Sequence, residues 1–220
     1  MGKIDSGILS GFRGKVGTVV GYFRGEQCII RVHKKTINAS KSLASLTNQS
    51  KFSLALRLVK LLTEPFRRGY SGSAVPSLWF SKALGAIVKN ATEGSYPAVS
   101  INYAKLPFSD GPGTTLVAFT GSVAANTRQL TLNWDSEEDY SDNAQNDKVV
   151  LIALNSVASK AWYTELPGKR LDQTAEVMIP ESLGTGTIYL YAYTVSSVLD
   201  SNIGRARISP SVFGGTVNLA

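Results

Sequence analysis

From Tyr96 onward, short runs that read as β-strands recur with turn signals between them: VSINYAKLPF, TLVAFTGSVA, QLTLNW, KVVLIALN, AWYTEL, AEVMIP, TIYLYAYTV and RARISPSVFG. No other feature restricts the fold so much. Successive side chains of a strand point to opposite faces, so a strand packed on one side alternates apolar and polar residues. Leu130, Leu132 and Trp134 fall on one face, and Ile188, Leu190 and Ala192 oppose Tyr189, Tyr191 and Tyr193. About seven such strands over about 110 residues, with a Trp on an early one, predict two sheets packed face to face.

The first 95 residues have another texture. VGTVVGYF (16–23) and QCIIRVH (27–33) are β-branched and aromatic runs separated by RGE, which predicts a hairpin around Gly25. Gly14, Gly17 and Gly21 weaken a strand interior, so bulges or close backbone approach are expected there. Residues 36–50, rich in Ser, Thr and Asn, read as a connector. From about Thr47, Phe52, Ala55, Leu56, Val59 and Leu62 form one apolar stripe at helical spacing, and Pro65 bends or ends that helix. A second helix is predicted from Ser77, as N-cap, to Thr92, with Phe80, Ala83, Leu84, Ile87, Val88 and Ala91 as its stripe and Gly94 as its stop. The two helices are expected to pair and to cover the glycine-rich strands. The reading is an α+β chain: residues 1–95 a basic β-hairpin with a two-helix hairpin, residues 96–220 an immunoglobulin/fibronectin-like β-sandwich. With no cysteine pair to bridge the sheets, the fibronectin type is the nearer one.

Charge divides the chain in the same place. Residues 1–95 hold 15 Lys/Arg and 4 Asp/Glu, whereas residues 96–220 hold 8 and 12. Arg13, Lys15, Arg24, Arg31, His33, Lys34 and Lys35 cluster on the glycine-rich segment, interleaved with Phe12, Tyr22 and Phe23. Cations neutralise phosphates and aromatic rings stack on bases, so the cluster is a candidate nucleic-acid surface. It is equally a candidate subunit contact, since DSEEDYSDNAQND (135–147) supplies an acidic counterpart in Asp135, Glu137, Glu138, Asp139, Asp142 and Asp147. Those carboxylates could hold calcium only irregularly, because the spaced D-x-D-x-D-G loop is absent. A solvated loop is the simpler reading.

Most enzyme classes lack their residues here. The only cysteine is Cys28 and the only histidine is His33, so neither a disulfide nor an ordinary structural zinc site can form within the chain. A phosphate-binding loop needs G-x-x-x-x-G-K-[ST]; Lys15 is followed by Val16 and residue 9 is Leu. Gly11 to Gly14 fits G-x-x-G without the helices that give that motif its use. No apolar run is long enough for a transmembrane span, and the first residues lack the apolar core of a signal peptide. Gly2 and Ser6 match a myristoylation pattern too short to carry weight. No catalytic residue and no cofactor is expected, and the predicted location is the cytoplasm or an assembled particle. Both chain ends are expected to be held by neighbouring subunits.

GILSGF (7–12) and GKVGTVVG (14–21) carry a resemblance. They are similar to the M-G-x-I-x-x-G-I-L-x-G-F-x-G-K-V-G-x-V-V-G opening of a Bacteroidota and phage-associated family of proteins of about this length and of unknown function. SYPAVSINYAKLPFSDG resembles a later motif of that family, with Asn102 where Asp is common, and NDKVVLIALN another, with Leu154 where an aromatic is common. The resemblance implies a bacterial or phage origin and brings no catalytic residues.

Three function classes follow. The first is a non-enzymatic, self-assembling structural protein of a phage-like virion, tube or filament, because opposite charge on the two halves suits head-to-tail packing and glycine-rich edge strands invite strand addition. The second is a nucleic-acid-binding protein that uses the basic half. The third is an adhesin or carbohydrate-binding module, which the sandwich alone favours.

Overall fold

A computed structural model describes residues 2–4, 11–33, 42–71, 78–124, 127–135, 144–200 and 204–219. Met1, Ala220 and the expected N-cap Ser77 lie outside them. The chain forms two compact units, residues 1–41 and residues 42–220.

The first unit is a four-stranded antiparallel sheet of β1 (Gly2–Ile4), β2 (Gly14–Val16), β3 (Val19–Arg24) and β4 (Gln27–Val32), in the order β1-β4-β3-β2. The hairpin expected around Gly25 is β3–β4, with Arg24 opposite Gln27. The run 16–23 is not one strand. Gly17 takes φ +56°, and the chain reverses there so that Val16 pairs with Val19. A glycine at the first of two turn residues suits the hairpin turns whose twist matches the strands, and both Gly17 and Gly25 occupy that place.

Among its described residues, the second unit holds three helices, α1 (Leu43–Leu61), α2 (Thr63–Gly69) and α3 (Trp79–Asn90), and ten strands. These are β5 (Thr92–Glu93), β6 (Ser100–Ile101), β7 (Val117–Val123), β8 (Gln129–Asp135), β9 (Lys148–Asn155), β10 (Lys160–Glu165), β11 (Thr174–Met178), β12 (Gly186–Asp200), β13 (Arg205–Ile208) and β14 (Val212–Leu219). One sheet runs β10-β9-β12, with β13 and β14 both paired to the long β12; another runs β11-β8-β7; β5 and β6 form a small ladder. The chain is therefore α+β, with a β-rich C-terminal region.

The larger sheet is buried on both faces. Its Val150, Ile152, Leu154, Tyr191 and Tyr193 pack with Ala55, Val59, Phe66, Leu84 and Ile87 of the helices. Its Val149, Leu151, Ala153, Ile188, Leu190 and Ala192 pack with Leu130, Leu132 and Trp134 of the smaller sheet. The tyrosines opposite Ile188 and Leu190 thus face a helical layer. Two expectations change for this reason. The boundary predicted near residue 95 falls inside the second unit, and the helix hairpin packs its apolar stripe on β9 and β12.

Helix limits also shift. α1 begins at Leu43, inside the supposed connector, because the Ser42 hydroxyl accepts the Ser45 N–H at 3.2 Å. It stops at Leu61, four residues before Pro65: proline cannot donate to that carbonyl and its ring collides with it. Pro65 itself sits in the first turn of α2. Phe52, predicted in the buried stripe, is half exposed, whereas Ala55, Val59 and Leu62 of that stripe are buried. α3 ends at Asn90, and Gly94 belongs to the turn between β5 and β6. VSINYAKLPF is strand only at Ser100–Ile101; a 3-10 turn at Tyr103–Lys105 follows, started by the Asn102 side chain accepting the Ala104 N–H. RARISPSVFG breaks at Pro210 into two strands.

Candidate functional site

The register of the N-terminal sheet sorts its residues into two faces. Residues directly opposite each other point to the same side. Lys15 pairs with Val20 and Val20 with Arg31, a row across three strands. Tyr22 pairs with Ile29 and Arg24 with Gln27, two steps further on along the same face. Lys15, Arg24 and Arg31 are exposed, and the Arg31 guanidinium lies 5.5 Å from the Tyr22 ring centroid. A cation over an aromatic face is attracted by the ring quadrupole and here fixes the direction of both groups.

The opposite face carries a row of valines. Val16 pairs with Val19 and Val19 with Val32. Val16 is 65% exposed and Val32 71%, and Phe23, on this face too, is 45% exposed. The adjacent row joins Gly14, Gly21, Ile30 and Gly2. Phe12 lies over Gly21, and its carbonyl accepts from the buried Cys28 thiol at 3.7 Å.

Of the basic residues singled out in the sequence, Lys15, Arg24 and Arg31 therefore share a face. Arg13 is exposed just before β2, and His33 is exposed just after β4, where its N–H donates to the Thr18 carbonyl at 2.7 Å. Lys34 and Lys35 lie outside the described residues, as do Glu137, Glu138, Asp139 and Asp142. Asp135 ends β8 and is exposed. Asp147 turns inward: its Oδ1 accepts the Ser197 N–H at 3.3 Å. Burial pushes its carboxyl above the usual range, partly offset by that N–H, the Arg170 charge and the Ser196 hydroxyl. Among the described residues, no group of three or more His, Cys, Asp or Glu could hold a metal ion.

Arg170, which no sequence signal marked, is fully buried beside Asp147. Its Nη1 donates to the Thr114 carbonyl at 2.9 Å and its Nη2 to that of Thr115. The Thr194 hydroxyl also donates to Thr114 O, at 2.9 Å, and the Trp134 indole N–H donates to Arg170 O at 2.7 Å. This polar centre ties the segment before β7 to β8 and β12. It is scaffold, since both terminal guanidinium nitrogens of Arg170 donate to backbone carbonyls.

A cleft of about 510 Å³ lies between the α1–α2 junction and β10, lined by Leu61, Pro65, Lys160, Trp162 and Tyr163 among others. Its ionisable groups are engaged: Glu64 pairs with Arg67 at 3.6 Å and Lys160 Nζ donates to Ser182 O at 3.1 Å. The tyrosine hydroxyls of Tyr70, Tyr191 and Tyr193 are pushed upward, chiefly by burial, and stay neutral.

A family model described as a family of unknown function (DUF6266) matches residues 11–203. The chain belongs to that family. The match takes in β2 to β4 and nearly all of the second unit, so both units are parts of the family's common plan. No curated protein matches the chain. No helix among the described residues is long and apolar enough to cross a membrane.

Proposed function

We propose that this is a non-enzymatic structural protein that assembles with copies of itself, in a phage-like virion, tube or filament. The observation that carries the reading is the valine row Val16·Val19·Val32, exposed at Val16 and Val32, with the exposed Phe23 beside it, on a small sheet that forms its own compact unit. Contiguous apolar surface on a small unit marks a protein contact. The outer strands β1 and β2 are three residues long and pair on one side only among the described residues, which leaves edges for strand addition.

A second copy is the occupant that charge favours. Residues 1–41 carry eight Lys/Arg against two Asp/Glu, whereas residues 96–220 are net acidic. A basic unit on one subunit then attracts the acidic region of the next, and such head-to-tail contacts propagate. The strand order supports a fibronectin-like sandwich as the body of the subunit. In immunoglobulin-type sandwiches strands A, B and E share one sheet and C, F and G the other; β7, β8 and β11 correspond to the first set, and β9, β12 and β14 to the second. The N-terminal motif supports a bacterial or phage source. Size-exclusion chromatography with light scattering tests the proposal: concentration-dependent growth beyond the monomer mass is expected, and a stable monomer at high concentration contradicts it.

A further inference from the structure

The valine face accounts for one side of the N-terminal sheet and leaves the other without a role. We propose that this other face binds single-stranded nucleic acid, through Lys15, Arg24 and Arg31 to phosphates and through Tyr22 to a base. The inference stands apart from the valine contact of the assembly proposal, which lies on the opposite side.

Three features point to that ligand. The first is charge. Lys15 and Arg31 stand in one cross-strand row, two ladder steps or roughly 10 Å apart, with Arg24 further along the same face. The only acidic residues in 1–41 are Asp5 and Glu26, and Glu26 sits in the β3–β4 turn, off this face. Among the described residues of these rows, a polyanion meets cations with no carboxylate between them. The second is the aromatic. Tyr22, half-buried, lies between the cations opposite Ile29, and a sheet surface bearing an aromatic ring is a platform on which an unpaired base stacks. A duplex hides its base faces and could use only the charges. The third is the arginine over that ring: Arg31, at 5.5 Å from the Tyr22 centroid, can engage a phosphate while one side of its plane covers the ring. Gln27, opposite Arg24, adds an amide that can meet a base edge.

Anisotropy of a labelled single-stranded oligonucleotide about 15 nucleotides long, titrated with the full chain, tests this. The expected result is binding at about 50 mM salt that weakens linearly with log salt. K15S/R24S/R31S should lower the salt slope by about 2 and weaken binding more than tenfold. Tyr22→Ala should weaken it about tenfold with the slope unchanged, and Tyr22→Phe, which keeps the ring and the fold, should bind as wild type. No binding at that salt overturns the proposal. So does a duplex of equal length, or heparin, bound as tightly as the single strand, and so does a triple variant whose slope is unchanged.

Discussion

Phe12 rests on Gly21 with no room between them: a β-carbon on Gly21 would lie 2.3 Å from the Phe12 ring carbon Cδ1 and 2.5 Å from its carbonyl oxygen. Space, not backbone angle, requires glycine here. Gly21→Ala should cost about 2 kcal/mol or more in local stability, the range for overpacking a fixed site. Phe12→Ala on top should recover little, because the carbonyl contact remains. Amide hydrogen exchange along Cys28–Arg31 reads this out, with protection falling there and holding in β9 and β12.

Arg170 is among the largest fully buried side chains of the described residues, and it joins two carbonyls of the 114–115 segment. Arg170→Met removes the guanidinium donor from both carbonyls, leaving Thr114 O with the Thr194 hydroxyl, and takes the Arg170 charge away from Asp147. A loss of about 3 kcal/mol is expected, seen as a lower urea midpoint with an unchanged slope. Arg170→Lys should recover only part of it, since an ammonium cannot reproduce the planar fork.

Asp147 gives the pH dependence a definite sign. Its folded-state pKa lies above the unfolded one, chiefly because it is buried. The folded state then holds the proton more tightly, so this group's contribution is whole below the unfolded pKa and is lost as pH rises through the folded value. Asp147→Asn removes that dependence. The stability difference between variant and wild type should move in the variant's favour as pH rises from about 4 to 7. Urea midpoints across that range check it, and the opposite trend contradicts it.

Asn102 starts the 3-10 turn at Tyr103–Lys105, and its neighbours explain the amide. Nδ2 donates to Glu93 Oε1 at 2.8 Å while Oδ1 accepts the Ala104 N–H at 3.1 Å. Hydrogen bonds from Lys105 and then Asn102 hold Glu93 below the usual carboxylate range. Asn102→Asp would set two carboxylates together, so the Glu93 pKa should rise, measurable by NMR titration of its side-chain carbon.

The strand runs of the C-terminal region were readable because alternation is a local signal. What covers each face was not. The residues opposite Ile188 and Leu190 are tyrosines, whose hydroxyls let them pass as half-exposed, although Tyr191 and Tyr193 lie under α1 to α3. The start of α1 was hidden because Ser and Asn mark turns and caps alike, and only the Ser42 hydrogen bond distinguishes the two. In the N-terminal sheet the basic cluster was visible, but its sorting was not. Lys15 and Arg31 share a face only because the chain turns at Gly17, and that turn lay inside a run read as one strand. The valine row depends on the same turn. Arg170 lies in GKRLDQ, a polar stretch with no periodicity to signal burial.

The valine face is the centre of this account, and its removal is the most direct test. V16T/V32T keeps the β-branched shape and the strand propensity but places hydroxyls in the contact. Sedimentation velocity across a wide concentration range should show the wild type growing into larger species and the double variant remaining a folded monomer. A wild type that sediments as one monomeric species throughout, or a variant that assembles as readily as the wild type, would contradict the account.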